Sequence, residues 1–199
     1  MSQLDAAQLS AALDNCIIGR EIVVLEETTS TNDAIRQRAT SLTPEGLVVF
    51  AEHQTAGRGQ RGNRWESAPQ KGLWFSILLR PKIEIDKSAR LTTWAAETVA
   101  RTIHEQFSLG ATVKPPNDVQ LEGRKVAGVL VEMRAQENAP HIAIAGIGIN
   151  VKHTAADFPE EMRSSATSLA IALDRQVDRA EFATALLRNL DRTYTESFG

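Results

Sequence analysis

Two stretches of the chain repeat apolar residues at helical spacing. Across 88–109, Leu91, Ala95, Val99, Ile103 and Phe107 fall on one face, with Ser88 placed to cap the helix and Gly110 to end it. Across 178–194 the face is Phe182, Leu186, Leu190 and Tyr194, opened by Asp178 and Glu181 in a capping-box pattern. A shorter helix is predicted over 4–14 from Leu4, Leu9 and Leu13, and another opens at Ser30 and Asp33 and runs on through DAIRQRAT. The segments EIVVLEE (21–27), LVVFAEHQ (47–54), GLWFSILLR (72–80), VAGVLVEM (126–133) and HIAIAGIGINV (141–151) are short, apolar and bounded by turn residues, so each reads as a strand. ATVKPPNDVQ (111–120) starts extended, but Pro115 and Pro116 forbid a regular helix and break any central ladder. EGRK and AQENAP read as turns. Several consecutive strands with helices on the outside predict an α+β fold.

At 199 residues the chain is long enough for one substantial core, and a single domain over 1–199 is expected, with a helical N-terminal segment (1–20) before a core of about 22–195. The net charge of −3 excludes a broad affinity for nucleic acid or anionic membrane, and therefore makes any local positive cluster informative. Cys16 is the one cysteine, which excludes an internal disulfide framework and fits a reducing compartment. MSQLDAAQLSAALDN has no basic start ahead of an apolar run, so it is not a signal peptide, and no window approaches the roughly 20 apolar residues of a membrane helix. The expected location is cytoplasmic. His53, His104, His141 and His153 have no metal-ligand spacing and read as ordinary surface or core residues.

The positive cluster is AGRGQRGNRW (56–65), with Arg58, Arg61 and Arg64 and no acid. Gly57, Gly59 and Gly62 spell the glycine pattern of a dinucleotide fingerprint, but that motif must lead from a strand straight into a helix. Here NRWESAPQKG and another strand follow, so no helix N-terminus is available for a pyrophosphate. A Walker A loop needs G-K-[ST], and a kinase needs H-R-D and D-F-G segments; none is present. Taken alone, the loop reads equally well as a solvated surface turn.

Three further segments change that balance. In KPPND, Lys114 ends an extended stretch that the prolines hold rigid, a setting for a fixed positive charge facing a phosphate or carboxylate. In KVAGVLVE, Gly128 permits close backbone approach between Lys125 and Glu132. In GIGIN, Gly146 and Gly148 leave room against a flat ligand and Asn150 supplies an amide at the strand end. Asp118 and Glu132 read equally as bases or as partners of nearby cations.

The order S-T-N (30–32), Q-x-A-G-R-G-x-x-G-x-x-W (54–65), K-x-P-N-D, K-x-A-G-V-L-V-E and G-I-G-I-N closely resembles the catalytic domain of biotin–protein ligases, over about residues 22–195. The resemblance implies a mixed, largely antiparallel sheet flanked by helices, similar to class II synthetases. It also implies an enzyme that joins the carboxylate of biotin to the α-phosphate of ATP, with Mg²⁺ travelling on the nucleotide, and then acylates a lysine of a biotin carboxyl carrier domain. By the same resemblance Ser30, Thr31, Asn32 and Gln54 line the pocket for the biotin head, while Gly57, Arg58, Gln60 and Gly128 complete the biotin site. Lys114 bridges carboxylate and α-phosphate, and Arg58 and Lys114 are the catalytic pair. The nucleotide falls to Arg58, Arg61, Arg64, Trp65, Lys114, Asn117, Lys125 and Asn150, with Trp65 offering a face to adenine and Asn150 an amide. No metal ligand is implied. The loop is expected to order on ligand binding, and a homodimer is suggested by the resemblance only.

The chemistry agrees with these assignments. Neutral hydrogen-bonding groups match a neutral ureido ring, and bringing a carboxylate against a polyphosphate needs preorganised positive charge rather than a side-chain nucleophile. The chain departs from the family at Gln60, where many members carry arginine, and at Pro115, where tryptophan is usual. No winged-helix region is read before the core, so a DNA-binding repressor role is not expected, and contacts that a C-terminal β domain gives in many members are expected to come from elsewhere or be absent. Lipoate-type ligation is the nearest alternative, but its R-R-x-x-G-G-G-like segment is absent and Cys16 stands too early to serve as the cysteine of a lipoyl or octanoyl transferase. A catalytically weak protein that binds biotin or its adenylate is the other.

Overall fold

A computed structural model describes residues 3–136 and 141–199. The short N-terminal helix α1 (Ala6–Ala11) is capped by Asp5, whose carboxylate accepts from the Gln8 N–H. Strand β1 (Glu21–Thr28) leads into α2 (Thr31–Arg38), then β2 (Leu47–Gln54), β3 (Gly72–Leu79) and the long helix α3 (Ala89–Phe107). Strands β4 (Ala111–Lys114), β5 (Asp118–Leu121), β6 (Arg124–Arg134) and β7 (Ile142–Asn150) follow, and α4 (Leu169–Leu173) and α5 (Arg179–Phe198) end the chain.

The strands form one sheet in the order β1-β2-β3-β7-β6-β5-β4, parallel between β1 and β2 and antiparallel elsewhere. This is the mixed, largely antiparallel sheet that the family resemblance implies. Both faces of its centre are covered, which is why β3 is buried at every position and reads as a continuous apolar run rather than an alternation. On one face Leu73, Phe75, Ile77 and Leu79 join Leu91, Ala95, Val99 and Ile103 of α3 and Phe182, Leu186, Leu190 and Tyr194 of α5 in the main core. On the other, Ile35 of α2 packs with Val49, Leu78, Ile142 and Ile144. Fully burying an aliphatic side chain contributes about 1.5–3 kcal/mol, so these two stripes fix which face of each helix meets the sheet.

Helix ends differ from the sequence reading at three points. Ser88 makes no side-chain cap, and α3 ends on Ser108 in the left-handed region (φ 55°), two residues before Gly110. Ser30 does not cap α2 with its hydroxyl, and Asp33 turns away from the helix end toward Arg58. Asp178 does cap α5, accepting from the Ala180 and Glu181 N–H groups. The prolines of KPPND sit in the turn joining β4 to β5 at the sheet edge, where no ladder bond is lost. Part of the AQENAP turn lies outside the described residues. Among the described residues no helix is long and apolar enough to cross a membrane.

Candidate active site

The period of two along β-strands builds the floor of the site. On β7, Ile142 and Ile144 lie under α2, and the next three residues on that face are Gly146, Gly148 and Asn150. Cross-strand register carries the row outward: Ser76 of β3 and Leu130 of β6 flank Gly146, and Trp74 and Gly128 flank Gly148. This face of β7 is therefore filled with aliphatic side chains at Ile142 and Ile144 and bare at Gly146 and Gly148. A Cβ on Gly146 would stand 2.3 Å from Asn32 Oδ1, and one on Gly148 would stand 2.6 Å from Trp65 Cε2. The GIGIN glycines thus admit two side chains of the protein, where the sequence suggested direct room for a ligand. Gly128 serves the same ring, at 2.9 Å from Trp65 Cζ3.

Above this floor the N-terminus of α2 brings Ser30, Thr31 and Asn32 to a cavity of about 290 Å³, with Gln54 from the end of β2 beside them. All four are buried. Gln54 Oε1 accepts from the Thr31 N–H at 2.9 Å and from its hydroxyl at 3.2 Å, while Nε2 donates to Ser67 Oγ at 3.0 Å. Asn32 Oδ1 accepts from Ser76 at 2.6 Å, and Nδ2 donates to Glu132 Oε2 at 2.6 Å. These bonds fix both amide orientations and leave an uncharged wall on the cavity. Ser67 and Ser76 are the residues that sequence reasoning missed. Ser76 was legible as the single hydroxyl inside an otherwise apolar buried strand; nothing in the sequence signalled Ser67.

The basic loop closes on itself between β2 and β3, confirming that no helix follows its glycines. Gly59 N–H donates to Asn63 O at 2.7 Å, Trp65 N–H donates to Gly57 O at 2.9 Å, and Arg61 and Gly62 take positive φ at the tip. Gly57 does not line the cavity; a Cβ there would meet Trp65 O at 2.6 Å, so its role is close approach of the two loop strands. Gln60, Arg61, Asn63, Arg64 and Trp65 line the cavity, together with Arg58, Lys114, Asn117, Lys125 and Gly128.

The cations divide into two groups. Arg58 forks onto the Asp33 carboxylate at 2.5 and 2.9 Å and lies 3.5 Å from Glu132, which also holds Arg36 at 3.0 Å. The hydrogen bond from Arg58 holds the Asp33 carboxyl below the usual carboxylate range, and Asp33 in turn raises the pKa of the guanidinium. Lys125 pairs with Asp118 at 2.6 Å, and its Nζ stands 5.1 Å from the centre of the Trp65 ring. Asp118 and Glu132 are thus partners of cations, one of the two readings that the sequence left open. Arg61 and Lys114 make no ion pair among the described residues, and Arg64 makes only an exposed contact with Glu66 at 3.2 Å, worth little in water. Arg61, Arg64 and Lys114 keep donors available to an anion.

Asn117 and Asn150 each spend their amide donor on a backbone carbonyl of the fold. Asn117 spends its amide on the carbonyl of Val129 at 3.1 Å, tying the KPPND turn to β6. Asn150 does not reach the main cavity; it lines a second one of about 100 Å³ on the far side of Trp65, with His153, Phe158, Pro159, Met162 and Ala166.

A model of the biotin/lipoate A/B protein ligase family matches residues 24–150. The bifunctional ligase/repressor BirA of Bacillus subtilis is 34% identical over 194 residues, spanning 98% of this chain and 60% of that protein. The biotin–[acetyl-CoA-carboxylase] ligase of Mycobacterium tuberculosis is 31% identical over 180 residues, spanning 86% of this chain and 63% of that protein. The chain therefore extends over about three-fifths of the length of these relatives. Among solved structures, the biotin protein ligase from Aquifex aeolicus in complex with biotin and ATP superposes with a TM-score of 0.75 at 31% identity, covering 90% of this chain and 73% of that one. With its sheet, its glycine floor and its family match in agreement, the chain belongs to the biotin/lipoate A/B protein ligase family.

Proposed function

We propose that the chain adenylates biotin with ATP and passes the biotinyl group to a lysine of a biotin carboxyl carrier domain. The observation that carries this reading is one cavity with an uncharged hydrogen-bonded end, Ser30, Thr31, Asn32 and Gln54, and a cationic end with free donors, Arg61, Arg64 and Lys114. A ureido ring fits the first end without burying a charge, which favours biotin over a dithiolane acid that offers such a wall nothing to bond. A carboxylate and a triphosphate meet at the second. The names of the relatives from Bacillus subtilis and Mycobacterium tuberculosis, and the biotin and ATP held by the Aquifex aeolicus structure, support the same chemistry.

In the first step a biotin carboxylate oxygen attacks the α-phosphorus and pyrophosphate leaves with its bond electrons. Lys114, at the end of β4, neutralises charge shared by the carboxylate and the α-phosphate, and Arg61 and Arg64 take the phosphate oxygens. Arg58, already balanced by Asp33 and Glu132, is a wall of fixed geometry for the ligand tail rather than a free counter-ion. Mg²⁺ would travel with the nucleotide and offset its phosphate charge; Asp118 and Glu132 are engaged by Lys125, Arg36 and Arg58. In the second step the acceptor lysine amine attacks the acyl carbon and AMP leaves.

The test is biotin-dependent pyrophosphate release and labelling of a carrier domain by the purified chain. Lys114→Ala should reduce adenylation at least about a hundredfold while biotin affinity stays within about threefold. Near-normal turnover of that variant refutes the assignment of Lys114; no pyrophosphate release from the unmodified chain, with biotin bound, refutes the enzyme.

A further inference from the structure

Four buried polar side-chain atoms without a hydrogen-bond partner belong to Trp65 and to residues linked to it through ring contacts or Asn150. They are Trp65 Nε1, Trp74 Nε1, His153 Nδ1 and Thr167 Oγ1. Trp65 meets Trp74 edge to face at 6.0 Å, Trp74 meets His153 in the same way at 5.7 Å, and the Thr167 carbonyl accepts from Asn150 Nδ2 at 3.0 Å. Buried polar atoms are seldom left unsatisfied, and two of these four belong to rings, Trp65 and His153, that line one cavity. Trp65, Asn150 and His153 all line the second cavity, where flat or apolar groups, Phe158, Pro159 and Met162, meet charged ones at the rim, Arg64, Glu66, Lys125 and Asp157. An aromatic heterocycle bearing donors and acceptors along its edge matches that lining.

We propose that His153 is a base-specificity residue, accepting a hydrogen bond from the 6-amino group of the adenine of ATP in the cavity behind Trp65. The proposal rests on the adenylating reading above and adds to it a residue that the sequence treated as ordinary. His153 is 2% exposed, stacked on Phe158 at 5.1 Å and 16°, and braced edge-on by Trp74, so its ring cannot rotate freely. Burial pushes its pKa down to about 4, with Asp157 and Lys71 facing it and acting in opposite directions, so the ring is neutral near pH 7 and offers one acceptor nitrogen. Asn150 spends its amide donor on Thr167, which leaves Oδ1 as a second acceptor. Adenine presents an amino donor where guanine presents a carbonyl acceptor, so two acceptors on the wall favour the first base and repel the second.

Biotin-dependent pyrophosphate release by the purified chain, measured with ATP, with GTP and with purine riboside triphosphate, which lacks the 6-amino group, tests this. The unmodified chain is expected to prefer ATP over the purine analogue in kcat/KM by at least about tenfold. In His153→Phe that ratio should fall toward one, because the ATP value drops while the purine value stays; His153→Leu serves with the same expectations should the phenylalanine variant not fold. A residue that only supported the fold would lower both values together, and that result overturns the proposal, as does an unmodified chain that uses both nucleotides equally. Either leaves the ligase reading standing. Absence of pyrophosphate release with every nucleotide refutes the ligase reading itself, and the proposal with it.

Discussion

Replacing His153 with phenylalanine should remove a pH dependence from the stability of the fold. The ring is enclosed by Phe158 and Trp74, and burial is the largest cause of its lowered pKa, from 6.5 to about 4. A histidine held neutral in the fold takes a proton in the unfolded chain at higher pH than in the folded one. Above about pH 6.5 neither state is protonated and the group costs nothing; as pH falls from there toward 4, only the unfolded state gains a proton, and stability drains away. At about 1.4 kcal/mol for each pH unit, the gap between 6.5 and about 4 makes a full loss of about 3 kcal/mol. That is a large share of the roughly 5–15 kcal/mol typical of a domain. Urea unfolding of the unmodified chain and of His153→Phe, from about pH 7.5 down to about pH 4, isolates the term, because the two chains differ at that one residue. The stability difference between the two should shift by about 3 kcal/mol in favour of the variant across that range. Parallel curves would refute the account of His153 as a buried neutral ring.

Glu52→Ala should cost about 3–5 kcal/mol in chemical denaturation, because Arg179 at the start of α5 meets both Glu52 oxygens, at 2.6 and 3.0 Å, and the Leu4 N–H donates to the same carboxylate at 2.7 Å. A loss below about 1 kcal/mol would show that this buried pair does not tie the chain ends to β2. Gly148→Ala places a methyl group 2.6 Å from Trp65, so the ring must leave its floor; KM for ATP should rise about tenfold, and an unchanged value rejects Trp65 as a nucleotide contact. Gln60→Arg adds a cation beside Arg61 at the cavity wall and should slow escape of the acyl-adenylate about tenfold in a chase of labelled intermediate. Equal escape rates would mean that the charge at this position does not reach the phosphate.

The sequence by itself determined the elements and the fold class, because burial on a helix or strand is written as a local period. Leu91, Ala95, Val99 and Ile103 mark one face of α3, and all are buried; Phe182, Leu186, Leu190 and Tyr194 do the same for α5. The ordered motifs also named most of the cavity lining, since Ser30, Thr31, Asn32, Gln54, Arg58, Gln60 and Lys114 all reach it. The cap at Ser108 and the helix α4 had no such signal, because a left-handed turn and a five-residue helix leave too short a pattern to read. What the glycines are for was decided only in three dimensions. Gly146 and Gly148 make room for Asn32 and Trp65, residues 114 and 83 positions earlier, and only strand register brings them together. The state of each cation was likewise tertiary: Arg58 and Arg61 are three residues apart in one loop, yet one is neutralised by Asp33 and Glu132 and the other is free to meet an anion. Charge is a property of composition, but whether it is available depends on distance to its neighbours, and folding sets those distances.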